Sequence, residues 1–247
     1  MRSLFERSKK IERPRLSRPS YVGRHAGRDF LVLGNGSSLG AHREALYQLV
    51  EEHDLLVMGA NHITPFIAPH YHAFVNRHRF HEFARTIDPT KSRVLLGPHL
   101  PSWAIRARYR GPYETLMFRN DPRPVFDIRD GIIQCDCRST SILLVGVAIV
   151  MGARRIFVAG VDGFRRLLAE GAATHHVETP PEVAREQQAA FTRYYLGRTE
   201  ETAAVLRSLR AYMLQQGLEP FIMVTPTDYA EYYQEISQFL SRRGVMK

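Results

Sequence analysis

The stretch Phe30-Leu-Val-Leu-Gly-Asn-Gly-Ser-Ser-Leu39 decides how this chain is read. A short apolar run enters a Gly34-Asn35-Gly36 turn, passes Ser37 and Ser38, and opens onto the helix-like stretch Leu39–Val50. A strand, glycine turn and helix in that order aim backbone N–H groups and the positive end of a helix dipole at one point, where an anion is the natural occupant. Gly34 and Gly36 allow a close backbone approach, and Ser37 or Ser38 can cap the helix or meet a phosphate oxygen. No Gly-Lys-Ser/Thr follows, so this is not a Walker loop. The third glycine falls at Gly40 rather than at Leu39, so the dinucleotide fingerprint is incomplete as well.

Outward from this turn, apolar runs at 54–58, 72–75, 93–96, 155–159 and 220–224 read as further buried parallel strands. Helical patterns at 41–52, 141–151 and 181–216 lie between them. The alternation predicts an α/β chain with a Rossmann-like, doubly wound and mainly parallel sheet, helices on both faces and a small helical lid. In such sheets ligands sit beyond the carboxyl ends of the strands. Asn35, Asn61 and Asn76 each follow a predicted strand, Gly160 and Asp162 follow another, and Thr225 follows the last. Any single asparagine suits a turn. Three at one edge suit the rim of a base or sugar, because an amide both donates and accepts.

Thr140 and Ser141 stand directly before the apolar run 142–151 and are N-cap candidates. With Arg138 they also make a candidate second anion cradle. His175 and His176 follow a polar loop and offer a general base. The pairs His70/His72 and His78/His81 lack an acidic or cysteine ligand at convincing spacing, so no metal site is expected.

Composition sets the frame. The 247 residues are 44% hydrophobic, enough for one substantial domain. No run is long enough to span a membrane, and residues 1–28 lack the apolar centre of a secretory signal, so none is expected. Cys135 and Cys137, one residue apart, fit a reduced cytoplasmic protein. The +9 net charge is concentrated at the start, where nine Arg or Lys against Glu6 and Glu12 give residues 1–28 a net +7. These residues read as a flexible basic tail suited to the inner face of an anionic membrane. Residues 29–247 read as the folded domain, with the lid around 163–200. Specific nucleic-acid recognition is not expected, since no basic stripe with interleaved aromatics follows the tail. Homo-oligomerisation stays open.

The ordered set Gly34–Leu39, Asn61, Phe74-Val75-Asn76, Arg138-x-Thr140-Ser141, 148–156, Gly160-Val-Asp162 and Thr174-His175-His176 resembles the bacterial lipooligosaccharide sialyltransferases of glycosyltransferase family 42. The pterin diphosphokinase and flagellin-modification group is a broader relative through its Gly-x-Gly-Pro-Ser-Leu turn. The resemblance implies a CMP-activated sugar donor, a glycan or lipid-linked acceptor, and inverting displacement with no required cofactor. It implies that Asn35 and Asn61 contact the nucleotide, Asn76 lines the donor pocket, and Arg138, Thr140 and Ser141 hold the donor. It further implies that Asp162 shapes the site and that His175 or His176 deprotonates the acceptor hydroxyl. Phe164 stands where the family carries a tyrosine for the departing phosphate, and Ile142 where it usually has glycine. Two other readings compete. One is a magnesium-dependent diphosphokinase-type transferase acting on a nucleoside triphosphate, with Asp136 and Asp162 near the phosphates. The other is a nucleotide-binding protein without chemistry.

Overall fold

The computed structural model describes residues 19–136, 139–164 and 181–241, with side chains of 181–196 not described. Its centre is a seven-stranded parallel sheet built from β1 (Phe30–Leu33), β2 (Leu56–Ala60), β3 (Tyr71–Phe74), β4 (Arg93–Leu96), β5 (Tyr113–Thr115), β9 (Ile156–Ala159) and β10 (Ile222–Met223), in the order β10-β9-β1-β2-β3-β4-β5. A second sheet of three short strands, β6 (Phe118–Asn120), β7 (Phe126–Arg129) and β8 (Ile132–Cys135), is inserted between β5 and β9. The chain is a Rossmann-like α/β fold, as its strand and helix alternation predicts.

Period-two alternation splits the strands between two apolar layers. Phe30, Val32, Met58 and Val158 face α5 (Thr140–Val150), while Leu31, Leu33, Val57 and Phe157 face Leu46 and Leu49 of α2 (Arg43–His53). Eight of the eleven α5 residues are buried, since this helix lies between the sheet and the β6–β8 insertion. Val205, Leu206, Leu209 and Met213 of the 35-residue α6 (Pro181–Gln215) join the same layer. The remaining helices, α3 (Arg77–Phe83) and α4 (Ser102–Arg108), cover β3 and β4 through Phe80 and Ile105. Among the described residues no helix is long and apolar enough to cross a membrane.

Two boundaries differ from the sequence reading. The helix expected over 41–52 is two pieces, α1 (Ser38–Ala41) and α2, separated at His42. Residues 19–28, assigned by composition to the tail, are packed on the body. Tyr21 is fully buried, with its hydroxyl accepting the Met117 N–H, and Arg24 makes two hydrogen bonds to Glu114 at 2.6 and 2.7 Å. Buried aromatic surface and a paired arginine hold this segment despite its charge. The lid expected around 163–200 lies largely outside the described residues, apart from the α6 backbone.

The chain runs outward from β1 to β5 and returns to the other side of β1 as β9, so the switch point lies between β1 and β9. An ion pair pins its amino end. Asp29, with a side chain 2% exposed, accepts hydrogen bonds from Arg154 (2.7 and 2.9 Å) and Arg155 (2.6 and 3.0 Å). Burial alone would raise the Asp29 carboxyl, but the two guanidinium groups outweigh it and hold it down at about 2. Its stabilisation is therefore present above the ordinary carboxylate range and is lost as pH falls from about 4 towards 2. The Arg154 and Arg155 side chains are 62% and 31% exposed and both keep access to water without their partner, so Asp29→Ala leaves no fully buried charge stranded. The expected cost at neutral pH is about 2–3 kcal/mol, read as a lower urea midpoint at unchanged slope. An unchanged midpoint would refute the pinning role.

Candidate functional site

At the carboxyl end of the switch point the β1 and β9 loops lie against each other. The Gly34 N–H donates to the Ala159 carbonyl and the Gly36 N–H to the Gly160 carbonyl, each at 2.8 Å. A Cβ on Gly34 would stand 2.1 Å from the Gly160 oxygen, and one on Gly36 would stand 2.4 Å from the Asp162 carboxyl carbon. Both glycines are required by this approach rather than by an open phosphate cradle.

The anion at the start of α1 is the protein's own. Asp162 accepts the Ser38 N–H at 2.9 Å, the Ser38 hydroxyl at 2.5 Å and the Ser37 hydroxyl at 3.4 Å. Buried Thr225 completes the network, its Oγ1 accepting the Gly160 N–H at 3.0 Å and lying 3.0 Å from Ser38 Oγ. Each hydroxyl carries one proton. The Ser38 proton goes to Asp162, so the Thr225 proton goes to Ser38. Ser37, Ser38, Thr225 and Asp162 thus brace two loops. In this structure an aspartate 124 residues away in sequence binds the Ser38 end of the turn that the sequence reading assigned to a ligand phosphate.

Beside this brace opens a cleft of about 220 Å³ whose lining includes Asn35, Gly36, Asn61, Thr140, Ser141, Gly160, Asp162 and Phe164. Asn35 Nδ2 donates to the Ala60 carbonyl at 3.1 Å, tying the β1 loop to the end of β2. Asn61 adopts a left-handed backbone, φ +55°, which asparagine tolerates better than most residues. Its N–H donates to Ala73 O at 3.2 Å and its carbonyl lies 2.8 Å from His72 Nε2. A carbonyl only accepts, so Nε2 carries a proton. Burial pushes that imidazole down to about 4, with the bond to Asn61 acting weakly the other way. The Asn61 Oδ1 is buried without a hydrogen-bond partner, an arrangement that usually costs about 1–3 kcal/mol.

The α5 start lines the same cleft. Its N-cap is Ser139, whose Oγ accepts the Ile142 N–H at 3.5 Å, and not Thr140 or Ser141. Thr140 and Ser141 occupy the first helical positions instead, so their N–H groups have no intrahelical carbonyl to reach. They present two hydroxyls and the positive end of the helix dipole to the cleft.

Asn76 is not part of the cleft. Its side chain accepts the His78 and Arg79 N–H groups at 2.8 and 3.2 Å and caps α3 at an exposed position, so the turn-residue reading holds there. Arg138, His175 and His176 lie outside the described residues. Arg198, Thr202 and Tyr229 also line the cleft and were not foreseen. The Arg198 side chain is 15% exposed and lies 4.0 Å from Glu201, bringing a cation to the site from α6. No local motif marks it. Among the described residues no group of three or more metal-ligating side chains is found.

No protein-family model matches the chain and no curated protein is found similar to it. At the level of fold, the chain is similar to the sialyltransferase CstII from Campylobacter jejuni, whose structure was solved in complex with a substrate analogue, CMP-3FNeuAc. The two superpose with a TM-score of 0.52 at 10% identity, over 87% of this chain and 88% of that one. That likeness supports the Rossmann-like architecture. At this identity it carries no residue roles.

Proposed function

We propose that the cleft binds the nucleotide part of a CMP-activated sugar and that the protein is a glycosyltransferase. The supporting observation is the company these residues keep. Asn35 and Asn61, whose Oδ1 is buried without a hydrogen-bond partner, line the same cleft as Thr140 and Ser141, which bring two N–H groups and two hydroxyls that the cap leaves unused. An amide oxygen accepts from an exocyclic amine, and the helix start favours phosphate. At about 220 Å³ the cleft is smaller than pockets that enclose whole ligands, roughly 300 Å³ and above. It suits the nucleotide rather than the entire donor. The neighbouring fold was solved with a CMP-sugar analogue, which favours cytidine.

In this reading Thr140, Ser141, the α5 dipole and the Arg198 charge stabilise the departing CMP phosphate, which leaves as an anion and needs no fresh proton. Arg138 adds to them by its family position. His175 or His176 takes the proton from an acceptor hydroxyl on a glycan or lipid-linked molecule as the sugar carbon is attacked with inversion. No metal is needed. The basic N-terminus holds the protein near an anionic membrane.

A thermal-shift panel of CMP, CDP, UDP, GDP and ATP, each with and without magnesium, tests this. CMP is expected to stabilise without magnesium, by about 2.7 kcal/mol at a hundredfold excess over Kd. Stabilisation by magnesium–ATP and not by CMP would instead support the diphosphokinase-type transferase. A second reading, nucleotide binding without transfer, is favoured by Phe164, which lines the cleft and has no hydroxyl to offer the leaving group. CMP stabilisation with no donor hydrolysis would select it.

The orphaned oxygen gives a sharper test. Asn61→Gly removes an unsatisfied buried acceptor at a left-handed position that glycine adopts freely. Its melting temperature is expected within a degree or two of the parent, while CMP affinity falls about tenfold or more. Unchanged affinity would remove Asn61 from the binding site.

A further inference from the structure

A second surface stands apart from the cleft. It is a groove of about 550 Å³ between α3 and α4. Arg77 and His81 of α3, and Arg85 just past its end, lie on one side, with Trp103 and Arg108 of α4 on the other, where the Arg108 guanidinium contacts His81 Nε2. No carboxylate lines it. Its floor is apolar, formed by Phe80, Ala104 and Ala107. Trp103 is 68% exposed, the largest exposure of any large apolar side chain among the described residues, and it is the only tryptophan in the chain.

The groove adjoins the reacting end of the sheet. Asn76 caps α3 two residues after β3 ends, and α4 starts six residues after β4 ends. Both helices therefore begin at the carboxyl edge, and Arg77 and Trp103 lie at these starts.

We propose that this groove docks the protein on an anionic lipid bilayer. Arginine heads meet lipid phosphates, their stems and the alanine floor accept the upper acyl region, and the Trp103 indole sits at headgroup depth. A nucleic acid is the weaker match, because one exposed aromatic in a short groove gives no run of stacking platforms along a strand. The docking site is distinct from the basic N-terminus, and it does not depend on which nucleotide fills the cleft. Its consequence for the acceptor side is direct: a lipid-linked hydroxyl on the docked membrane lies at the end of the sheet where the cleft opens.

Trp103 reports on the proposal without any mutation. With the full chain, vesicles of phosphatidylglycerol and phosphatidylcholine are expected to shift tryptophan emission to the blue, and high salt is expected to reverse the shift. Pure phosphatidylcholine vesicles are expected to leave the emission unchanged. The triple variant R77Q/R85Q/R108Q keeps the basic N-terminus. Each basic charge is worth about fivefold in partitioning, so its vesicle affinity is expected to fall roughly a hundredfold in co-sedimentation. Three results would overturn the proposal. They are unchanged emission with anionic vesicles, parental binding by the triple variant, or displacement of the vesicles by a single-stranded oligonucleotide that itself shifts the emission. None of these bears on the CMP thermal shift, so the two readings fail separately.

Discussion

Gly34→Ala is expected to destabilise the protein by about 3–5 kcal/mol and to abolish nucleotide binding with it. The added methyl would stand 2.1 Å from the Gly160 oxygen and 2.7 Å from its carbonyl carbon. Both are backbone atoms, so no side-chain rotation relieves the contact. Separating the loops enough to admit the methyl breaks the 2.8 Å bonds that Gly34 and Gly36 make across the switch point. Each such bond contributes about 1 kcal/mol, and the remainder is strain. For a chain of this size the loss corresponds to a drop in melting temperature of roughly 10–15 °C. Gly40→Ala is the internal control, because a Cβ there meets nothing within 4 Å. It is expected to be neutral or to stabilise by up to about 1 kcal/mol. Equal losses in the two variants would mean that the close approach does not set the cost.

The second large effect is a loss of stability in mild acid that traces to His72. Its imidazole is fully buried, and Nε2–H donates to the Asn61 carbonyl. Its Nδ1 is buried without a partner. Protonation would place both a charge and an unsatisfied donor in the core, which is why burial holds the group at about 4. Between that value and the ordinary 6.5 the unfolded chain binds a proton that the folded chain refuses. Stability therefore falls as pH drops from 6.5 to 4, by about 3 kcal/mol, and the term is constant above 6.5. Burial lowers His25 and His70 as well, so total acid sensitivity does not isolate His72. His72→Gln does, since its amide can still donate to Asn61 but takes up no proton. Urea unfolding at several pH values is expected to show a flatter slope for the variant between pH 6.5 and 4. Parallel slopes would refute the assignment. The effect reaches the site directly, because the same bond fixes the carbonyl of Asn61.

Much of this architecture was legible in the chain. The runs at 30–33, 93–96 and 155–159 form strands because branched and apolar residues buried on both faces leave a parallel sheet as their best arrangement. The apolar run 142–151 lies in a buried helix for the same reason. The helix start was misplaced by one residue because Ser139, Thr140 and Ser141 are all suitable caps, and only the Ile142 contact separates them. The inserted β6–β8 sheet was missed, since three- and four-residue strands carry too few positions for a period to show.

The sequence by itself determined the alternating fold, the apolar central helix and the small and amide residues that follow the strands, because these depend on local pattern and burial. Tertiary structure alone decided what those residues do. It brought Asp162 onto Ser38, making the opening Gly34–Ser38 turn a brace, and it turned Asn76 into a helix cap. It also delivered Arg198 and Tyr229 from distant segments to the cleft beside Asn61. These outcomes depend on which strand ends become neighbours. That is set by the order β9-β1-β2, which no local pattern encodes.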